Sequence, residues 1–226
     1  LSCMVDDCIK RGKTVQEGGA VYNFTGPQGF GIANMADSLY AIKKLAFDEK
    51  KVTLGEWKRA LAMNYGEGLD AISAAEIVTQ IVKEMEEKGM TPGEAEIAEM
   101  LRTVMTTELP EEEKKRYQEI RAMIEEVPKF GNDNEEVDYF AREVAYTYTR
   151  PLLKYHNPRG GQFQAGLYPV SANVPLGAQT GATPDGRLAH TPVADGVSPS
   201  AGKDVHGPTA AANSVSKLDH GIASNG

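Results

Sequence analysis

The chain has 226 residues, enough for one large domain or two small ones, and its 24 basic against 32 acidic side chains leave a net charge of -8. That balance excludes a general nucleic-acid binder, which needs clustered Lys and Arg. Two cysteines and four scattered histidines exclude a disulfide scaffold or a structural zinc site, and no apolar run is long enough to span a bilayer. A reducing, cytoplasmic setting is expected.

Taken in chain order, "LSCMVDDCIKRGK" (1–13) reads as a helix, with Cys3 and Cys8 as small core residues rather than nucleophiles. "GIANMADSLYAIKKLAFDEK" (31–50) places Ile32, Met35, Leu39, Ile42 and Leu45 near a 3.6-residue period and predicts an amphipathic helix. Thr53 with Glu56 forms a T-x-x-E capping pattern, and Thr91, Pro92 and Glu94 repeat that logic with Pro92 at the first helical position. Pro110 opens a helix whose acidic first turn suits the helix dipole. Asp133 with Glu136 is expected to start the last long helix, which Pro151 kinks or ends. The stretch 66–108, rich in Glu, Met and Lys, reads as a peripheral helical insertion.

Composition changes at Asn157. "GQFQAGLYPVSANV" (161–174) reads as a buried extended strand carrying Phe163, Leu167, Val170 and Val174. "TPDGR" (183–187) is a turn, and Pro208 opens a short helix over "TAAANSVSKLDHGIAS". The chain begins at Leu within a helical pattern and stops at "DHGIASNG" as a helix reaches its glycine cap, as expected of a segment from a longer protein. Helices followed by isolated strand-and-loop units predict an α/β fold with much of its sheet elsewhere.

Two stretches invite chemistry. "YNFTGPQGFGIAN" (22–34) contains a partial G-x-G-x-x-G whose third glycine is Asn34. With no apolar strand before it and no acid at the ribose-binding distance, a nucleotide loop is the weaker reading. Glycines that let a backbone pass close to something are the stronger one. In "NPRGGQF" (157–163), Arg159 precedes two glycines, where a guanidinium can fork onto an anion or simply tie down its own loop. The acidic pairs Asp6-Asp7 and Glu86-Glu87 and the run Glu111–Glu113 read as solvated helix surface. His156, His190, His206 and His220 sit in no nucleophile or ligand motif.

Read together, "GGAVYNFTGPQGFGIANMADSLYAIKKL", "VPKFGNDNEEVDYFAREV" and the dense run from "NPRGGQFQAGLYPVSANVPLGAQTGATPDGR" to "ASNG" resemble the glycyl radical enzymes of the pyruvate formate-lyase superfamily, closest to its dehydratase and C–X lyase branch. The resemblance implies a ten-stranded barrel of two half-barrels sheathed by helices. Residues 1–226 would form an incomplete barrel domain, mostly the second half-barrel, decorated by the insertion. It implies two finger loops, one with a thiyl-forming Cys in a C-V-x-P context and one with the radical Gly in an R-V-x-G-Y context. Neither motif occurs here, so Cys3 and Cys8 inherit no radical role and the chain by itself is expected to be inert. It further implies a radical installed by a radical S-adenosylmethionine activase, a homodimer, no directly bound cofactor or metal, and anaerobic action in the cytoplasm or a microcompartment.

The expected reaction is cleavage of a C–O, C–N or C–S bond in a small polar molecule such as a sulfonate or a diol. Formate acetyl transfer, arylacetate decarboxylation and a non-catalytic binding module are the alternatives. Sulfite-eliminating members resemble this sequence in presenting an Arg and, four residues later, a Phe, which are Arg159 and Phe163 here. With Tyr22, Gln28, Tyr168 and Ser171 these are the expected substrate-lining residues, in a cavity that must be closed and dry.

Overall fold

A computed structural model describes residues 1–69, 71–106 and 109–225. In chain order the helices are α1 (Cys8–Arg11), α2 (Ile32–Ile42), α3 (Leu54–Ala62), α4 (Ala71–Glu87), α5 (Glu94–Thr106), α6 (Glu111–Glu125), α7 (Glu135–Leu152), α8 (Asn173–Ala178) and α9 (Pro208–Ser216). Two short strands, β1 (Ala165–Gly166) and β2 (Ala223–Asn225), pair in parallel, with Ala165 opposite Ala223 and Gly166 opposite Asn225. The chain divides into two compact units, one from 1–36, 129–171 and 194–226, the other from 37–128 and 172–193.

In the first unit, α7 starts because the Asn134 side chain accepts hydrogen bonds from the amides of Glu136 (3.1 Å) and Val137 (3.3 Å). Its buried stripe, Val137, Ala141, Ala145 and Thr149, recurs every four residues and is mostly small, which lets neighbours approach closely. Lys217, just past α9, donates to Asp133 (2.7 Å) and Asp138 (2.8 Å) and pairs with Glu135 (2.9 Å). Three acids thus hold the ammonium charged and push its pKa well above the ordinary lysine value. The same contact holds the Asp133 carboxyl below its usual range. Asp138 is 1% exposed, so its charge is tolerable only with this partner.

In the second unit, Thr53 and Glu56 form a reciprocal capping box on α3. Arg116 of α6 extends it, reaching Glu56 at 3.2 Å and the Lys51 carbonyl at 3.1 Å. Tyr117, Ile120 and Ile124 form the buried stripe of α6. Tyr65, fully buried in a left-handed conformation (φ 55°), donates from its hydroxyl to the Thr183 carbonyl at 2.8 Å. Burial pushes that phenol far above its ordinary pKa. The loop after α8 is wound around Arg187, whose guanidinium donates to the carbonyls of Gly181, Leu188 (3.1 Å) and Thr191 (2.6 Å) and to Thr183 Oγ1 (3.1 Å).

Several expectations are met. The amphipathic helix at 32–48, the Thr53/Glu56 cap, the helix opening at Pro110 and the Thr183–Arg187 turn all form. Residues Lys43–Asp48 continue α2 as a π-helical segment, closed by Glu49 N–H to the Lys44 carbonyl at 2.9 Å.

Others need correction. The leading segment is not one helix: Val5 is extended and Asp7 left-handed, splitting a 3-10 turn at Ser2–Met4 from α1, and Cys3 is exposed while Cys8 is buried. The long strand at 161–174 reduces to β1 and flanking bridges, and Val174 lies in α8, 52% exposed. The last helix stops at Ser216, and the "DHGIAS" stretch turns into β2 rather than a glycine cap. Asn134, not Asp133, caps α7, because Asp133 occupies the left-handed region that precedes the cap. Pro92 lies before α5, where the Gly93 amide donates to the Glu96 carboxylate at 2.9 Å instead. Of the expected helical block, α4 and α5 are seen, while Asp70, Thr107 and Glu108, the last being its end, lie outside the described residues.

Candidate functional site

The two glycine-rich stretches lie side by side. Thr25 bridges Phe163 and Gln28 bridges Gly166, both in parallel sense. Amide bonds run from Thr25 to Gln162 (3.2 Å), Gln164 to Thr25 (2.9 Å), Gly166 to Pro27 (2.8 Å) and Gly29 to Gly166 (2.9 Å). With β2 paired to β1, residues 163–167 form the middle of a small parallel array in the first unit. The glycines are there for proximity. A Cβ at Gly161 would lie 1.8 Å from the Asn23 carbonyl oxygen, and one at Gly29 would lie 2.9 Å from Leu167 and 3.0 Å from the Tyr148 ring.

Asn157 holds the entrance. Its side-chain amide donates to the Asn23 carbonyl and to Thr25 Oγ1 (3.0 Å), and its oxygen accepts from the amides of Arg159 (2.9 Å) and Gly161 (3.1 Å). The Asn157 amide closes the loop by donating to the Gly161 carbonyl at 2.7 Å. Sequence reasoning missed this residue, although an Asn before Pro and three residues ahead of a glycine pair is the signature of a side chain bonding its own turn.

Asn34, standing where a dinucleotide loop would carry its third glycine, is buried and accepts from the Ala194 amide at 2.7 Å. It also donates to Ser200 at 3.1 Å. The Gly31 amide, at the mouth of α2, donates to the Ala194 carbonyl at 2.8 Å. The chain's own loop 194–200 thus bonds to the start of α2, and among the glycines of this stretch it is Gly29 that a close approach requires.

Of the six expected lining residues, Gln28 and Tyr168 come together. The Gln28 Nε2 donates to the Tyr168 carbonyl at 2.5 Å. A Cβ on Gly166 would fall 2.6 Å from Gln28 Oε1 and 3.0 Å from Tyr168 Cε1, so the carboxamide and the ring both lie over that bare glycine. Gln28 Oε1 is buried and accepts no hydrogen bond among the described residues. Phe163 sits half-buried across from Thr25 on the same pair of segments. Tyr22 is 85% exposed at the start of its segment. Ser171 is exposed beyond the paired stretch. Arg159 is exposed in the Asn157 loop, its backbone against Gly18, and its guanidinium has no acidic partner among the described residues. Tyr148, behind Gly29, has a buried hydroxyl without a partner among the described residues, and desolvation raises its pKa.

This arrangement supplies shape rather than reactive groups: close backbones, an aromatic face and one unused buried acceptor. Among the described residues no three His, Cys, Asp or Glu side chains converge to hold a metal. No helix among them is long and apolar enough to cross a membrane.

A family model described as "Pyruvate formate lyase-like" matches residues 1–177. A solved structure concerned with 1,2-propanediol dehydration in Roseburia inulinivorans is 67% identical, covers 99% of this chain and 27% of its own, and superposes with a TM-score of 0.91. The B12-independent glycerol dehydratase from Clostridium butyricum, solved with glycerol, is 48% identical over 99% of this chain and 22% of its own, with a TM-score of 0.72. The Escherichia coli K12 protein named "Probable dehydratase YbiW" is 38% identical over 96% of this chain and 22% of its own length. The chain thus spans about a quarter or less of these relatives.

Proposed function

This chain belongs to the pyruvate formate lyase-like family, and on that footing we propose that the protein containing it is a glycyl radical dehydratase acting on a small vicinal diol. The observation that carries the reading is the 67% identity and 0.91 TM-score, over 99% of the chain, to the structure concerned with 1,2-propanediol dehydration. The net reaction turns a 1,2-diol into an aldehyde and water. The radical, carried by residues outside this chain, removes a hydrogen atom from a substrate C–H bond and returns one at the end.

The part of this chain is to build the cavity. The pair 22–30 and 161–168 forms a wall in which Gly29, Gly161 and Gly166 keep side chains out, so that backbones pack tightly, as a water-excluding cavity needs. Tyr168 and Phe163 supply an apolar face, and Gln28 carries an acceptor suited to a hydroxyl. Tyr22, Ser171 and Arg159 are assigned to the outer part of the same lining. The ten-stranded barrel, the homodimer, the radical S-adenosylmethionine activase and a cytoplasmic or microcompartment setting belong to the same proposal, supported by the family. So does the placing of residues 66–108 as a peripheral insertion, supported by α4 having α5 as its chief neighbour.

A sulfonate reading has one observation in its favour, an exposed Arg159 without an acidic partner among the described residues, together with 31% identity over 80% of this chain to an isethionate sulfite-lyase of Bilophila wadsworthia. The test is turnover by the intact, anaerobically activated protein given propane-1,2-diol, glycerol or isethionate. Propanal from propane-1,2-diol, with no sulfite released from isethionate, is the expected outcome. Sulfite release that Arg159→Ala abolishes, without diol turnover, would overturn it in favour of the sulfonate branch.

A further inference from the structure

The hairpin of α4 and α5 leaves an apolar groove of about 380 Å³ lined by Ile81, Met100 and Val104, with Glu96, Glu99 and Thr103 along its rim. A helix with one apolar stripe must bury it against something. On α4, Ala74 and Val78 are buried, but Ile77 and Ile81 are each 36% exposed. On α5, Ile97, Met100, Leu101 and Val104 recur at helical spacing, yet none of its described side chains is fully buried. Two helices packed on each other have used only part of their apolar faces, and the remainder lines this groove.

The surrounding charge selects the occupant. The two helices carry seven Glu against one Lys and one Arg, and that Arg, Arg102, lies 3.1 Å from Glu99. A second copy of the hairpin would bring a like-charged rim, which disfavours self-pairing. We propose that the α4–α5 groove docks a basic amphipathic helix of a partner protein, its apolar residues on Ile81, Met100 and Val104 and its Lys or Arg flanking Glu96 and Glu99. The proposal does not rest on the diol reading.

The test is fluorescence anisotropy with the intact protein and a fluorescein-labelled Leu/Lys amphipathic peptide of about 18 residues, five helical turns, with the scrambled peptide as control. Saturable binding is expected for the amphipathic order only. It should weaken about tenfold or more in Met100→Glu and in Glu99→Lys, and fall as salt rises. Glu99 is exposed, so its replacement leaves packing intact and keeps the test valid should Met100→Glu fold poorly. No binding would overturn the proposal, placing another part of the polypeptide in the groove. Equal binding of the scrambled peptide, or no effect of either variant, would overturn it as nonspecific charge attraction. A concentration-dependent doubling of mass that Met100→Glu abolishes would overturn it in favour of a second copy.

Discussion

Gly160 and Gly161 are adjacent, yet a methyl group on each should act through different physics and by different amounts. Gly160 has φ +84°, and a methyl there would find nothing within 4 Å, so Gly160→Ala meets only the left-handed backbone penalty, about 1–2 kcal/mol. Gly161 lacks that conformational demand, but its methyl would sit 1.8 Å from the Asn23 oxygen and 2.3 Å from the Asn23 carbon, both backbone atoms. The segments must part by more than an ångström. That movement disrupts the Asn157 bonds to Asn23 and Thr25 and the Thr25–Gln162 and Gln164–Thr25 amide bonds. At about 1 kcal/mol net for each lost bond, the cost is about 3–4 kcal/mol, beyond the ordinary effect of one added methyl. Amide exchange in the intact protein reads this directly, since about 1.4 kcal/mol is tenfold. The Thr25 and Gln164 amides should exchange about a hundredfold faster in Gly161→Ala and much less so in Gly160→Ala. Equal acceleration in the two variants, or less in Gly161→Ala, would refute the close-approach reasoning.

Thr53→Ala should lower stability by about 1 kcal/mol by opening the capping box of α3, seen as a lower urea midpoint at unchanged slope. Lys217→Met should be costlier, about 3 kcal/mol, because it strands the buried Asp138 carboxylate, and a thermal melt at neutral pH reads it. The same ammonium depresses the Asp133 pKa, so that contribution is present above the unfolded carboxylate range and lost as pH falls through the folded value. Wild type should therefore lose stability below about pH 4, and Lys217→Met should flatten that limb of a stability–pH curve. Tyr65→Phe removes the bond to the half-buried Thr183 carbonyl, which keeps the Gly186 amide as a donor, at about 1 kcal/mol by denaturant titration.

The α3 helix was legible from its Thr53/Glu56 cap and the α6 helix from Pro110 and its acidic first turn, because those signals are local. The extended segment was misread in length because its burial comes from pairing with residues far away, not from alternation along 161–174. Leu167 and Val174 look alike in sequence, but the first lies beneath the paired segments and the second turns outward on α8. The leading helix failed for a local reason the composition hid, an extended Val5 and a left-handed Asp7. Family resemblance pointed to Gln28 and Tyr168 separately, and their contact was not readable, since it joins positions 140 residues apart. The clamping roles of Asn157 and Asn34 were not readable, because a buried clamp of this kind looks like any loop asparagine until its partners are in place.

The distance between the two halves of the wall also dictates when it can exist. Tyr22–Phe30 leaves the ribosome long before residues 162–168 are made, and closing a loop of about 140 residues costs about 4 kcal/mol in chain entropy before any contact is gained. The capped helices between them can form at once, but the pairing of 22–30 with 162–168 must wait. In that interval 22–30 carries three uncovered aromatics, Tyr22, Phe24 and Phe30, on a segment with unsatisfied amides, the kind of sequence that recruits a neighbouring nascent chain. The glycines and the proline that later permit close approach are poor strand formers, so they keep this segment from pairing prematurely with the wrong partner. The residues that permit the finished pairing therefore also guard the chain while that pairing is still unmade.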